Sequence, residues 1–324
     1  MGSEGPAVQS LEAYIKEYKE KYEPGERAKT LPEHKLIKPD EDAFEEKYNF
    51  ENQITGLAVI IWNENFVKEE DRRIGADVDV NNLKEIFEGL DFEVRIKKDL
   101  KGVEMEEFLQ KVSITSKCTK IFPLQFDHRN ADCFVCAIMS HGGEELQDSM
   151  RYDTIYGTDG NAVRTSHFLS IFNDECCPEL GGKPKLFFVQ ACRGTINDFG
   201  VSIEVQTSRQ DRSENEDQGE TNQVDSSGEM NAMRYEVSPA QIYKDFLLMY
   251  AAPPGHYAIR NTTNGSWMVQ CLHKEMKPGA VLHHSLTRVS HNMSQKETET
   301  IPPKKCVPCI MSNLPKTVRF THKK

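Results

Sequence analysis

The stretch Leu186-Phe-Phe-Val-Gln-Ala-Cys-Arg-Gly194 constrains the fold of this chain more than any other. Its first half, Leu186 to Val189, is a continuous apolar run, which is the pattern of a strand buried on both faces. Its second half turns polar, ends in glycine and leaves Cys192 at the carboxyl end of that strand. A strand buried on both faces needs cover above and below, which an open sheet layered by helices provides. In such sheets ligands bind beyond the carboxyl ends of the strands. A thiol at that end can meet a reactant, whereas one inside the strand cannot.

The rest of the chain supplies the layers. Gly56 to Trp62 and Phe92 to Ile96 read as strands, and further strands are expected at 132–139, 185–191, 245–251 and 306–312. Between them lie helical patterns. Asp79 to Leu90 places Val80, Leu83, Ile86, Phe87 and Leu90 on one side, Val103 to Val112 forms a second helix, and others fall near 164–178, 265–277 and 281–293. Alternation of this kind predicts an α/β fold with a six-stranded, mainly parallel sheet and helices on both faces.

Charge and composition exclude several classes of function. A formal net charge of −11 argues against nucleic acid as a partner. The longest apolar stretches, such as Leu57 to Trp62, are far below the ~18 residues of a membrane span. Residues 1–6 have neither the basic start nor the apolar block of a secretory signal. The nine cysteines are odd in number and several lie within apolar runs, which points to a reducing, cytoplasmic setting rather than a disulfide scaffold. Two pairs, Cys133/Cys136 and Cys306/Cys309, have C-x-x-C spacing, but both fall in predicted strands, where odd spacing sends the two thiols to opposite faces. They read as core, so no metal or cofactor is expected.

Two segments stand apart from the sheet. Residues 1–42 carry one helical pattern, Ser10 to Tyr22, with Leu11, Tyr14, Ile15, Tyr18 and Tyr22 as an aromatic-rich stripe, and turn polar after Pro24. Glu204 to Glu229 has only Val205 and Val224 as sizeable apolar residues, too few to offset the entropy of ordering. That stretch is expected to be mobile and open to proteolysis.

Gln190-Ala-Cys-Arg-Gly194 has a second motif at a telling distance. Ser140-His141-Gly142-Gly143 follows the apolar run Cys133 to Met139, and His141 lies 51 residues before Cys192. Alone, a cysteine reads as a small buried hydrophobe and a histidine as structural. Together, both at strand ends and at this spacing, they match a caspase signature, and the chain resembles the caspase family from about Tyr48 to Phe320.

The resemblance implies a caspase-like three-layer sandwich and a cysteine endopeptidase that cleaves after aspartate. It implies Cys192 as nucleophile, His141 as proton carrier, and the backbone N–H groups of Gly142 and Cys192 as donors to the oxyanion. It also implies that a carbonyl in the first loop, at Asp71, orients the imidazole. A short aspartate carboxylate needs fixed cationic forks, which guanidinium supplies through paired hydrogen bonds. The family's two arginines and glutamine are matched by Arg73 in Arg73-Ile-Gly-Ala-Asp-Val-Asp79, by Gln190, and by Arg260 in Tyr257-Ala-Ile-Arg-Asn261. Tyr257, Asn261 and Trp267 resemble the family's remaining substrate contacts, although Tyr257 and Trp267 also read as ordinary packing aromatics.

By the same resemblance the chain is a short-prodomain, effector-type zymogen of the cytoplasm, an executioner in apoptosis activated by an upstream initiator caspase and working as a dimer of large/small pairs. The expected division is 1–42 propeptide, 43–225 large subunit with a linker over about 201–236, and 226–324 small subunit. Cleavage is expected after Asp225, where Ser226-Ser-Gly follows. Asp211 and Asp217 are poorer sites, since Arg212 and Gln218 come next. Cleavage after Asp42, with Asp40 the alternative, exposes Ala43-Phe-Glu-Glu46. A free alanine there suits an inhibitor-of-apoptosis protein, and equally suits the cleavage alone.

Three departures bear on the outer subsites. Ile259 stands where effector members usually have Trp, Ser290 to Lys305 is a short polar segment in place of an aromatic-rich loop, and the chain looks longer at Thr115–Asn130 and Glu144–Asp153. Two other functions remain to be separated from an active caspase. A catalytically dead homologue loses the cysteine, histidine or arginines, and none is lost here. A different cysteine peptidase on the same fold cuts after Arg, Lys or Asn, and two pocket arginines oppose its basic substrates.

Overall fold

The computed structural model describes residues 46–114, 125–148, 150–198 and 242–323. Asp42, Ala43, Asp225, the 201–236 linker and residues 115–124 lie outside the described residues. Glu46–Lys324 forms one structural unit.

The apolar runs are the strands of one six-stranded sheet. In chain order these are β1 (Ile54–Trp62), β2 (Phe92–Lys98), β3 (Ala131–Met139), β7 (Lys185–Gln190), β8 (Phe246–Tyr250) and β11 (Cys309–Ser312). They are arranged β11-β8-β7-β3-β1-β2. All neighbours are parallel except the edge pair β11 and β8. Strict alternation divides the strand residues between two cores. Ala58, Ile60, Cys133, Val135, Leu186 and Phe188 face one side, with helices α1 (Ala76–Gly89), α4 (Trp267–Glu275) and α5 (Leu282–Ser294). Leu57, Val59, Phe134, Cys136, Phe187 and Val189 face the other, with α2 (Gly102–Ser113) and α3 (Thr165–Ser170). The three-layer α/β sandwich expected from the sequence is therefore what forms. Cys133 and Cys136 fall on opposite faces, as odd spacing requires.

Several elements differ from their sequence pattern. The helix near 164–178 stops at Ser170, because the Asn173 side chain takes over the backbone N–H groups of Glu175 (3.1 Å) and Cys176 (2.7 Å), and Pro178 then starts a separate 3-10 turn. The strand at 306–312 begins only at Cys309, so Cys306 precedes it and is buried in the core under α4 and α5. Residues Glu144–Asp153, which looked like added length, form most of an antiparallel hairpin, β4 (Gly142–Gln147) and β5 (Met150–Tyr156). With β6 (Ala162–Arg164) it makes a second, three-stranded sheet. The first residues of the Ser290–Lys305 segment belong to α5. The remainder closes on itself through Thr298 N to Lys304 O (3.0 Å), and Lys305 N bonds Asp198 O (2.7 Å).

Candidate active site

The register of the sheet brings the two motifs together. Trp62 is opposite Met139, and Met139 is opposite Gln190, so β1, β3 and β7 end level. His141 and Cys192 each lie two residues beyond that line, on adjacent strands. Ser140 N donates to Gln190 O (3.3 Å) across the step. Gly142 closes the gap. A Cβ on it would lie 2.6 Å from Cys192 O and 2.8 Å from both Ala191 Cβ and Thr154 O, so only glycine lets the histidine loop lie against the cysteine loop.

The imidazole is held from two sides. His141 Nε2 is 2.7 Å from the Asp71 carbonyl. A carbonyl only accepts, so Nε2 carries the proton and Nδ1 is left for chemistry. The Asp71 carbonyl is aimed by a 3-10 turn, Glu69–Asp71. The Phe66 ring packs against the imidazole with centroids 4.7 Å apart. Burial lowers the His141 pKa below the ordinary histidine range, and the nearby Arg73 and Arg260 charges act in the same direction. Cys192 is half-buried, with Sγ 4.0 Å from Ala258 O.

The arginine that follows Cys192 anchors the loop. Arg193 makes a bidentate pair with Asp153 of β5 (Nε to Oδ1 2.9 Å, Nη2 to Oδ2 2.6 Å) and stacks on the Tyr250 ring at 3.8 Å. Arg151, also on β5, donates to the Arg193 carbonyl. Nothing in the sequence marked Asp153 or Arg151 as partners, because the hairpin that carries them is polar and lacks an apolar run.

The two arginines come together from segments far apart in the chain. Arg73 is 3% exposed and donates Nη1 to Asn63 O at 2.9 Å. Arg260, on the two-residue strand β9 (Arg260–Asn261), donates Nη1 to the Ile74 carbonyl. Burial lowers the Arg73 pKa to about 10 and the Arg260 charge adds to the effect, whereas negative charge at Asp79 opposes it. Gln190 is 3% exposed, and its Oε1 has no hydrogen-bond partner among the described residues. Two guanidiniums and a buried amide in reach of a thiol form a site suited to a small carboxylate.

The remaining sequence candidates divide. Tyr257 is 41% exposed beside the cysteine loop, its N–H bonded to Ile196 O at 3.0 Å. Asn261 spends its Oδ1 on the N–H groups of Thr263 (2.8 Å) and Asn264 (2.9 Å), holding the turn into β10 (Gly265–Ser266). Trp267 is 7% exposed and belongs to the core under α4. Ile259 packs against the same core.

Asp79 went unnoticed in the sequence. It is fully buried and accepts from Ser266 N at 2.7 Å. Burial raises its pKa to about 6, against the opposing hydrogen bonds of Ser266 and charges of Arg73 and Arg260. Its signal was position: an acid one helical turn before Leu83 falls on the apolar stripe. Among the described residues no group of three or more His, Cys, Asp or Glu is placed to hold a metal ion, and no helix is long and apolar enough to cross a membrane.

Comparison with known proteins agrees with this geometry. The caspase-domain family profile of peptidase C14 matches residues 55–319. Caspase-3 of Bos taurus is 35% identical over 288 residues, covering 86% of this chain and 89% of that protein. Caspase-3 of Mus musculus is 34% identical over 285 residues, covering 85% and 87%. The crystal structure of caspase-1 from Spodoptera frugiperda superposes with a TM-score of 0.65 at 28% identity, covering 86% of this chain and 96% of that one.

Proposed function

Since the chain belongs to the caspase family of cysteine endopeptidases that cleave after aspartate, we propose that Cys192 and His141 are its catalytic pair and that Arg73, Gln190 and Arg260 bind the substrate aspartate. The observation that carries this reading is the level ending of β3 and β7, which sets His141 and Cys192 side by side with Gly142 packed between them. In the reaction, His141 Nδ1 takes the thiol proton as Sγ bonds to the scissile carbonyl carbon. The resulting oxyanion is met by the N–H groups of Gly142 and Cys192. Collapse breaks the C–N bond, and the amine leaves with the proton from His141. Water, deprotonated by the same imidazole, then hydrolyses the thioester and restores the thiol. Tyr257 serves as a wall for the residue before the aspartate, and Asn261 shapes the outer subsites through its turn, with Trp267 beneath it.

The further reading is an executioner caspase of the cytoplasm, active in apoptosis. Residues 1–42 are its propeptide, 43–225 and 226–324 its large and small subunits, and the working form is a dimer of such pairs. It is activated by cleavage at Asp225 and Asp42, by autoprocessing and with an upstream initiator caspase as partner. The 35%-identical relative named caspase-3 supports this role. Once exposed, Ala43 is a handle for an inhibitor-of-apoptosis protein through its free amine.

A panel of peptides varied only before the scissile bond tests the chemistry. Cleavage after aspartate is expected, abolished in Cys192→Ala and lowered by orders of magnitude in His141→Ala. Turnover retained by purified Cys192→Ala removes the mechanism. Mass spectrometry of the processed protein tests the sites, because a small subunit that starts anywhere but Ser226 excludes Asp225. Equal binding of Ala-Phe-Glu-Glu and its acetylated form to a baculoviral-repeat domain excludes the Ala43 handle.

A further inference from the structure

The two pocket arginines come from segments far apart in the chain, Arg73 before α1 and Arg260 in the β9–β10 hairpin, and neither lies in the six-stranded sheet. Three contacts join them directly. The Arg260 guanidinium donates to the Ile74 carbonyl. Gly75, with φ 81°, lies so close to the hairpin that a Cβ on it would be 2.2 Å from Thr262 O. Gly265, with φ 80°, leaves only 2.4 Å between an added Cβ and Asp79 Oδ1. At the buried end of this seam Asp79 Oδ1 accepts from Ser266 N. Ser266 is the cross-strand partner of Arg260. A single carboxylate on α1 thus grips the strand opposite the second pocket arginine.

Resting on the pocket assignment above, we propose that Asp79 is a positioning residue for the aspartate pocket, fastening the Arg260 hairpin to the head of α1 so that both guanidiniums converge on one short carboxylate. Its hydrogen bond suits the place, because Asp79 Oδ1 holds the residue paired with Arg260 to the head of α1. Its burial suits it too. An apolar side chain could fill the space beside α1, but the Ser266 N–H, itself in a buried contact, would lose its acceptor. Asp79 touches no reacting atom, and its effect on substrate runs through Arg260.

The proposal makes selectivity, rather than activity, the readout. Aspartate and glutamate differ by one methylene, which a fixed site separates by about 10–200-fold. A hairpin freed from α1 lets Arg260 retreat and accept the longer acid. In Asp79→Ala the ratio of kcat/KM for aspartyl over glutamyl peptides is expected to fall at least about tenfold. In Asp79→Asn, which retains an acceptor for Ser266 N, the ratio should stay within about threefold of wild type. The rate of Cys192 alkylation by iodoacetamide should be unchanged in both, since the thiol lies outside the seam. Gly265→Ala pries at the same contact from the hairpin side and should shift the ratio as Asp79→Ala does, which keeps the test open if Asp79→Ala does not fold. An unchanged ratio in Asp79→Ala or Gly265→Ala, even with both rates lowered, overturns the proposal, as does an Asp79→Asn ratio as low as that of Asp79→Ala. Absence of any aspartyl preference in the wild-type protein instead overturns the pocket assignment itself.

Discussion

Replacing Gly142 by alanine isolates the spacing between the histidine and cysteine loops, because alanine keeps the N–H that is proposed to meet the oxyanion. Gly142 lies in β4 without a left-handed backbone, so alanine adds no conformational strain. It adds one methyl group, 2.6 Å from Cys192 O and 2.8 Å from Ala191 Cβ and Thr154 O. These are backbone atoms and a Cβ, none the end of a flexible side chain, so the loops must open by about 0.5–1 Å to restore ordinary contact. Overpacking of this size costs about 1–3 kcal/mol, which a domain of this size survives. Catalysis is less tolerant, since a displacement near 1 Å costs about a hundredfold. The expectation is a 10- to 100-fold fall in kcat/KM for an aspartyl tetrapeptide, to within those broad limits. Melting temperature should fall by about 2–10 °C, with the protein still folded at assay temperature, and iodoacetamide reactivity of Cys192 should stay near wild type. A Gly142→Ala enzyme within about threefold of wild type would show that the two loops need not approach this closely.

Three further outcomes follow from the same geometry. Arg73→Lys and Arg260→Lys keep the charge but lose the fork, and breaking a buried charged pair costs about 3–5 kcal/mol, or about 150- to 5,000-fold in kcat/KM; near-normal cleavage by both variants would refute the pocket. His141 should titrate below the ordinary histidine value of about 6.5 when followed by NMR in Cys192→Ala, because its burial disfavours the charged ring; a midpoint above that value contradicts the site. His128, buried with Nε2 donating to Val112 O (2.8 Å), is pushed by burial from 6.5 to about 4. Between those values the unfolded chain binds more protons than the folded one, so stability falls as pH drops through the window, by up to about 3 kcal/mol. Asp79, raised to about 6 by burial, works in the opposite direction over most of that window. Comparison with His128→Gln, which shares Asp79 but cannot titrate at 128, isolates the histidine: denaturation at pH 7 and pH 4.5 should show the wild type losing more, and a pH-independent difference refutes the assignment.

The four central strands were legible because each is a short run buried on both sides, so its sequence is almost uniformly apolar whatever its neighbours are. Leu57–Trp62, Cys133–Met139 and Leu186–Val189 needed no tertiary information to be placed. Helix α1 was legible for a related reason, since Leu83, Ile86 and Phe87 repeat at the helical period. His141, Cys192, Arg73, Gln190 and Arg260 stood out because short motifs hold them at characteristic positions after strands or before turns. Side-chain competition was harder to read: the pattern near 164–178 suits a helix, yet Asn173 ends it by bonding its own following N–H groups.

What only the tertiary structure decided is which distant residues share a register or a charge. The level pairing of Met139 with Gln190 is a property of two strands and cannot be written in either one. The hairpin β4–β5 is polar and half-exposed, so its strands carry no apolar run, and its Asp153 becomes meaningful only when Arg193 folds onto it. Asp79 shows the limit most plainly. As a residue type it belongs on the surface, and its place on the apolar stripe of α1 has a reason only once Ser266, 187 positions away, brings an N–H to it. Local periodicity records which face of an element is buried, because burial acts on each residue separately. Partners across the fold are set by pairwise contacts, and a single chain of letters does not contain them.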